Sequence, residues 1–181
     1  MTEVIDVKKI FSLATFLFFV TTFAQVSANS MPASEMRIGG IGYGSSLAQV
    51  KEIFGEPLDK KIFTGDGVRV VTWIYSSYFS VTARTFANDT TSEENLPVVG
   101  FILKYSFLPH ENPDSPKTPG GITVGMNYNE VVKLFGRGEL YELDGRTSYF
   151  YVPADSQVPM TLSFFVDANA TITEIQLGTD F

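Results

Sequence analysis

Few residues in this chain could do chemistry, and they are scattered. The single histidine, His110, lies just before Asp114 and Ser115, the residue types of a hydrolytic triad in which an imidazole takes a proton from a hydroxyl. That trio sits among Pro109, Pro113, Pro116 and Pro119, a stretch that would not hold three groups in register, and no Gly-x-Ser-x-Gly elbow occurs. Acids come in two groups, Glu93 with Glu94, and Glu139 with Glu142 and Asp144. Such groups could act as acid and base, but acids close in sequence read more simply as a solvated loop or a hairpin edge. Asp155, Asp167 and Asn169 offer oxygen ligands, without the Asp-x-Asp-x-Asp-Gly loop and distal Glu of a calcium site. With no cysteine, disulfides, thiolate zinc sites and a lipid anchor on an N-terminal cysteine are excluded. Gly39, Gly40, Gly42 and Gly44 lack the spacing of a nucleotide or phosphate loop and predict a turn at a helix entry. No cofactor, no metal and no catalytic residue is expected.

The elements that would carry any site are clearer. Gly44 to Gly55, Gly-Ser-Ser-Leu-Ala-Gln-Val-Lys-Glu-Ile-Phe-Gly, returns at Gly125 to Gly136 as Gly-Met-Asn-Tyr-Asn-Glu-Val-Val-Lys-Leu-Phe-Gly. Each copy places a capping residue, Ser46 or Asn127, three positions before Gln49 or Glu130, the pattern of a capping box. Apolar residues at Leu47, Val50, Ile53 and Phe54, and at Tyr128, Val131, Leu134 and Phe135, form one stripe of a short helix. Gly55 and Gly136 stand where a left-handed cap needs no Cβ. A helix this short is unstable alone and must bury its stripe against a larger element. After each copy come strands: Lys60 to Thr64 and Val68 to Tyr75 about Gly65-Asp66-Gly67, then Phe79 to Phe86 and Val98 to Phe107. In the second half the strands are Leu140 to Leu143 and Arg146 to Val152 about Asp144-Gly145, then Met160 to Val166 and Thr171 to Leu177. Asp-Gly suits the positive φ angles of a tight hairpin.

Residues 1–28 read as an address. Lys8 and Lys9 precede an apolar run from Ile10 to Ala24, and Val26-Ser27-Ala28 ends in a small-x-small cleavage pattern, so cleavage is expected before Asn29. The run is short of the ~20 residues of a spanning helix. Glu3 and Asp6 are unusual so early in a leader and fit translation starting at Val7. The expected organisation is a signal peptide (1–28), a first helix-plus-sheet repeat (29–107), a Pro-rich solvated linker (108–121) and a second repeat (122–181). A net charge of -7 argues against nucleic acid, which demands clustered Lys and Arg. The expected location is outside the cytoplasm: periplasm, cell surface or medium.

The glycine, the capped helix with Val at its centre, the Phe-Gly ending and the strands that follow resemble the tandem repeat of the beta-lactamase inhibitory protein family. They also resemble the related SmpA/OmlA domain of small outer-membrane assembly lipoproteins. The resemblance implies an α+β, two-layer, inhibitor-like fold of two tandem repeats, four antiparallel strands each, and a binding role without catalysis. The missing cysteine departs from the lipoprotein branch.

The sheet face away from the helices is therefore the expected site. Tyr78, Arg84 and Phe86 share a parity in the first half, and Tyr149 and Tyr151 repeat the theme in the second. Aromatic residues beside arginine are the composition of protein interfaces. These five are the expected contacts to a protein partner, gathered on a concave aromatic face, while Trp73 reads as core. The alternatives are a small envelope hydrolase or carbohydrate-processing enzyme with carboxylates between the halves, and a structural envelope protein.

Overall fold

A computed structural model describes residues 30–105 and 115–179. The expected leader, His110 and Asp114 lie outside the described residues. The chain enters through β1 (Ser30–Met31), a 3-10 turn (Ala33–Glu35) and a small hairpin of β2 (Arg37–Ile38) and β3 (Ile41–Gly42). Helix α1 (Leu47–Phe54) leads to β4 (Asp59–Gly65), β5 (Val68–Ile74) and β6 (Phe79–Phe86), then a 3-10 turn (Glu93–Asn95) and β7 (Val98–Lys104). Helix α2 (Asn129–Phe135) leads to β8 (Glu139–Leu143), β9 (Arg146–Pro153), β10 (Thr161–Val166) and β11 (Ile172–Gly178). The class is α+β, with one large sheet and two α-helices among the described residues.

That sheet has nine strands in the order β1-β9-β10-β11-β7-β6-β5-β4, with β8 also on β9. Two of its hairpins turn on Asp66-Gly67 and Asp144-Gly145, where the aspartates take φ 50 and 52 and the glycines 77 and 74. Positive φ at both central residues is the type I′ geometry that matches strand twist. The two strand sets fuse into one layer because β7 and β11 pair antiparallel, Phe101 with Leu177 and Leu103 with Ile175. Pairing them removes two exposed edges, each a row of unsatisfied N–H and C=O groups.

One face carries the core. Val71, Trp73, Val81, Ala83, Phe101, Leu103, Leu162, Phe164, Ile175 and Leu177 are buried there under Leu47, Val50, Tyr128 and Val131. Equivalent backbone bonds tie each helix entry to the sheet. The Gly44 N–H donates to Val98 O and the Gly125 N–H to Ile172 O, both at 2.8 Å, while Val98 N–H and Ile172 N–H donate back to Ser45 O and Met126 O.

Several expectations are corrected. The helical stripe is narrower than predicted: Ile53 and Leu134 are 50% and 54% exposed. Each lies about 120° round the helix from the stripe's first residue, at ~100° per residue, on the flank of the buried arc. The capping box forms only in α1, where Ser46 Oγ accepts from Gln49 N–H at 3.2 Å and Gln49 Oε1 from Ser46 N–H at 2.9 Å. At α2, Asn127 Oδ1 instead accepts from Asn129 N–H at 3.0 Å, and Glu130 reaches forward to Lys133 at 2.7 Å. The Glu130 N–H donates to the Asn127 carbonyl at 3.0 Å, so the donor the box needs is already used. Gly55 and Gly136 have positive φ, 79 and 75, but extended ψ, so each ends its helix by leaving it straight rather than in a left-handed cap.

The described part of the expected solvated linker, 115–121, is held in place: Gly39 N–H donates to Lys117 O at 2.8 Å and Thr123 Oγ1 to Pro116 O at 2.7 Å, with Thr118 buried. The chain's first described strand also crosses the molecule. β1 runs parallel to β9 in the second half, burying Met31.

Candidate functional site

Directly paired residues of an antiparallel ladder share a face, so the register decides which side chains line the side away from the helices. On β4 to β7 these are Asp59, Lys61, Phe63, Val68, Val70, Thr72, Ile74, Ser80, Thr82, Arg84, Phe86, Gly100, Ile102 and Lys104. On β8 to β11 they are Glu139, Tyr141, Ser148, Phe150, Ser163, Phe165, Glu174 and Gln176. Alternation predicts polar residues on such a face. Here Phe63 is 59% exposed, Phe86 74% and Tyr141 53%, so large apolar rings meet solvent at both ends of the sheet. The middle is polar, with Thr72 and Thr82 hydroxyls 3.2 Å apart.

Two grooves lie on this face. One, of about 560 Å³, has Tyr141, Phe150 and Phe165 with the hydroxyls of Ser148, Thr161 and Ser163 and the Glu139 carboxylate at its wall. The other, of about 350 Å³, runs along the first half between Lys61 and Lys104, with Ile74, Tyr78 and Ile102 lining it. Between them Glu174 is nearly buried yet satisfied. Its Oε2 meets Arg146 Nη2 at 2.6 Å, and Oε1 accepts from the Gln176 amide. The Arg146 guanidinium lies 4.0 Å over the Phe165 ring, a cation–π contact.

Of the five residues singled out from sequence, Arg84 and Phe86 lie on this face, opposite Val70 and Val68. Tyr78, in the turn before β6, lines the groove of the first half. Tyr149 and Tyr151 take the other side, a correction with a clear cause. Tyr151 pairs with Leu162 and Tyr149 with Phe164, so both point toward the helices. Tyr151 is fully buried and Tyr128 nearly so. The Gly138 N–H donates to Tyr128 Oη at 3.0 Å, the two phenols share a hydrogen bond of 2.8 Å, and Tyr151 Oη donates to Gly136 O at 2.8 Å. Burial, then the bond to Tyr128, pushes the Tyr151 phenol well above the usual range. Tyr149 stacks on Tyr128 at 4.2 Å and takes a hydrogen bond from Arg137 at 3.3 Å, at the rim of a cleft beside α2.

The rings that do face outward in the second half, Tyr141, Phe150 and Phe165, were missed. The signal was present in β10, where Leu162 and Phe164 alternate with Thr161 and Ser163. That alternation marks the buried parity and, through the ladder, sets β9.

Trp73 is core as expected, with a polar tip: its indole N–H donates to Glu93 Oε1 at 2.8 Å. Lys60 Nζ reaches the same oxygen at 2.8 Å and lies 4.7 Å over the indole ring. Glu94 accepts from Lys51 at 2.9 Å. The adjacent acids thus brace β4 and α1 against the 3-10 turn, and both carboxyls are held below their ordinary range, chiefly by their hydrogen bonds to lysine. Among the described residues no group of three or more His, Asp or Glu side chains is placed to hold a metal ion. Nor is any helix among them long and apolar enough to cross a membrane.

No protein-family model and no curated protein matches the chain. Among solved structures it is similar to a DUF4309 family protein, YjgB, of Bacillus subtilis, at 14% identity and a TM-score of 0.42, covering 86% of this chain and 90% of that one. It is also similar to a provisionally named beta-lactamase inhibitor protein of Streptococcus mutans, at 13% identity and a TM-score of 0.27, covering 74% and 82%. Both are distant in sequence, and neither is described as an SmpA/OmlA domain.

Proposed function

We propose that the chain is an exported, non-catalytic protein-binding module built from two copies of one helix-plus-four-strand unit, with the open face of the shared sheet as its recognition surface. The observation that carries this reading is the exposure of Phe63, Phe86 and Tyr141 on a face where alternation calls for polar side chains. Arg84 beside Phe86, and Arg146 stacked on Phe165, add the arginine–aromatic pairing common at interface centres. The equivalent backbone bonds at the two helix entries support the duplication. On this reading the helices act as buttresses, and Tyr149 and Tyr151 set the shape of the second half from beneath.

The test is capture from the native envelope fraction by the purified protein, beside a Phe63→Ser/Phe86→Ser variant. A discrete partner held by the wild type and lost by the variant at unchanged melting temperature supports the assignment. Equal capture by both places recognition elsewhere. Export is checked separately by N-terminal sequencing of the protein recovered outside the cytoplasm, where the chain is expected to begin at Asn29.

A further inference from the structure

The open face differs in charge from the chain it belongs to. Over β4 to β7 it carries Lys61, Arg84 and Lys104 against Asp59 alone, in a protein of net charge -7. Lys61 and Lys104 stand at the walls of the 350 Å³ groove, where no acid lines the surface. Neither lysine has a carboxylate partner among the described residues, although Lys51, Lys60, Lys133 and Arg146 all do. Glu174 sits opposite Lys104 across the β11–β7 ladder, but its two oxygens accept from Arg146 and Gln176. Two lysines without a carboxylate partner, at one groove that no acid lines, present local charge complementarity to an anion. Between the lysines the surface is Ile74 and Ile102, the latter 37% exposed, with Ser77 and Ser80 beside them. A bare phosphate or sulfate would leave that apolar strip wet. A polypeptide carrying carboxylates on either side of an aliphatic side chain would cover it.

We propose that this groove receives an acidic, extended segment of a protein partner, with carboxylates at Lys61 and Lys104 and an apolar side chain between them on Ile74 and Ile102. The proposal rests on the open-face reading above and adds the partner's chemistry. Overall repulsion between two acidic bodies slows their encounter and is screened by salt, while the local pairs, partly shielded by the groove, set the preference.

The experiment uses a short fluorescein-labelled peptide of alternating Glu and Val, its Gln and Lys counterparts, and a single-stranded oligothymidylate of similar length. Binding is read by anisotropy and mapped by amide chemical shifts on the purified protein. The Glu peptide is expected to bind best, to shift amides of β4 to β7, and to lose about tenfold or more in affinity in Lys61→Glu/Lys104→Glu, since two attractive pairs become repulsive. Both lysines are exposed, and Lys61→Gln/Lys104→Gln, without the added repulsion, should show a smaller loss in the same direction. If the Gln or Lys peptide binds as well at the same amides, the acidic assignment falls while the open face stands. If no peptide moves those amides, the face itself is wrong. Tighter binding of the oligothymidylate overturns the assignment to a polypeptide.

Discussion

Replacing Glu93 by Ala should destabilise the protein by about 2 kcal/mol. Trp73 is fully buried, and its indole N–H has Glu93 as its acceptor at 2.8 Å. Removing the acceptor from a buried donor costs roughly 1–3 kcal/mol. The Lys60–Glu93 pair, with side chains 44% and 23% exposed, adds only ~0.2–1 kcal/mol because solvent screens it. Water entering beside the exposed part of the site offsets some of the first cost, which leaves about 2 kcal/mol, or nearly a thirtyfold change in the folding equilibrium. For a domain of this size that is a fall of roughly 4–8 °C in melting temperature. Urea unfolding followed by the fluorescence of Trp73, the one tryptophan, reads it directly. Glu93→Gln keeps an oxygen for the indole and should recover most of the loss.

The pH dependence has a definite sign. Glu93 is held below its ordinary value of 4.5, first by the hydrogen bond from Lys60 and then by that from Trp73, against the opposing effect of desolvation. Its ionic contribution is therefore full above the unfolded value and disappears as pH falls through the folded one. The gap between wild type and Glu93→Gln should close on acidification below 4.5. A Glu93→Ala protein within about 0.5 kcal/mol of wild type at neutral pH, or a gap that widens in acid, would refute this account of the Trp73 site.

Tyr151→Phe removes the hydroxyl that bonds both Tyr128 and Gly136 inside the core, and should lower stability by roughly 1–3 kcal/mol in the same urea assay. Burial raises the phenols of Tyr128 and Tyr151, so the stability they hold is complete below the unfolded value of 10.0 and is lost as pH climbs toward the folded values. Tyrosinate absorbance should consequently rise in step with alkaline unfolding, and Tyr75, raised by burial to about 12, should join it. Gly100→Ala would place a Cβ 2.6 Å from the Leu177 carbonyl oxygen at the β7–β11 seam, with an expected cost of about 1–3 kcal/mol. Gly178→Ala, with nothing within 4 Å, is the control and should be close to neutral by thermal melting.

Local structure was legible because its causes are local. The type I′ turns follow from Asp66-Gly67 and Asp144-Gly145, whose φ angles few other pairs adopt without strain. Helix α1 follows from a box made within four residues. Where the reading failed, the deciding partner was distant. Tyr149 and Tyr151 were placed on the wrong face because β9 is rich in aromatic residues on both parities, and only its ladder with Leu162 and Phe164 says which parity is inside. Asn127 closes no box: its side-chain amide donates to Asn169 O at 3.3 Å, far along the chain, while its Oδ1 takes the Asn129 N–H.

Composition and spacing alone determined two short amphipathic helices, each followed by hairpin strands, and the absence of cysteine-based chemistry. Only the tertiary structure decided that the strands form a single sheet, that β1 crosses to β9, and that Phe63, Phe150 and Phe165 share the outer face with Arg84 and Phe86. The reason is physical. Turns and helix ends satisfy their hydrogen bonds within a few residues, whereas a strand edge is satisfied by whichever distant edge fits it. A side chain's face is settled only once that partner has docked.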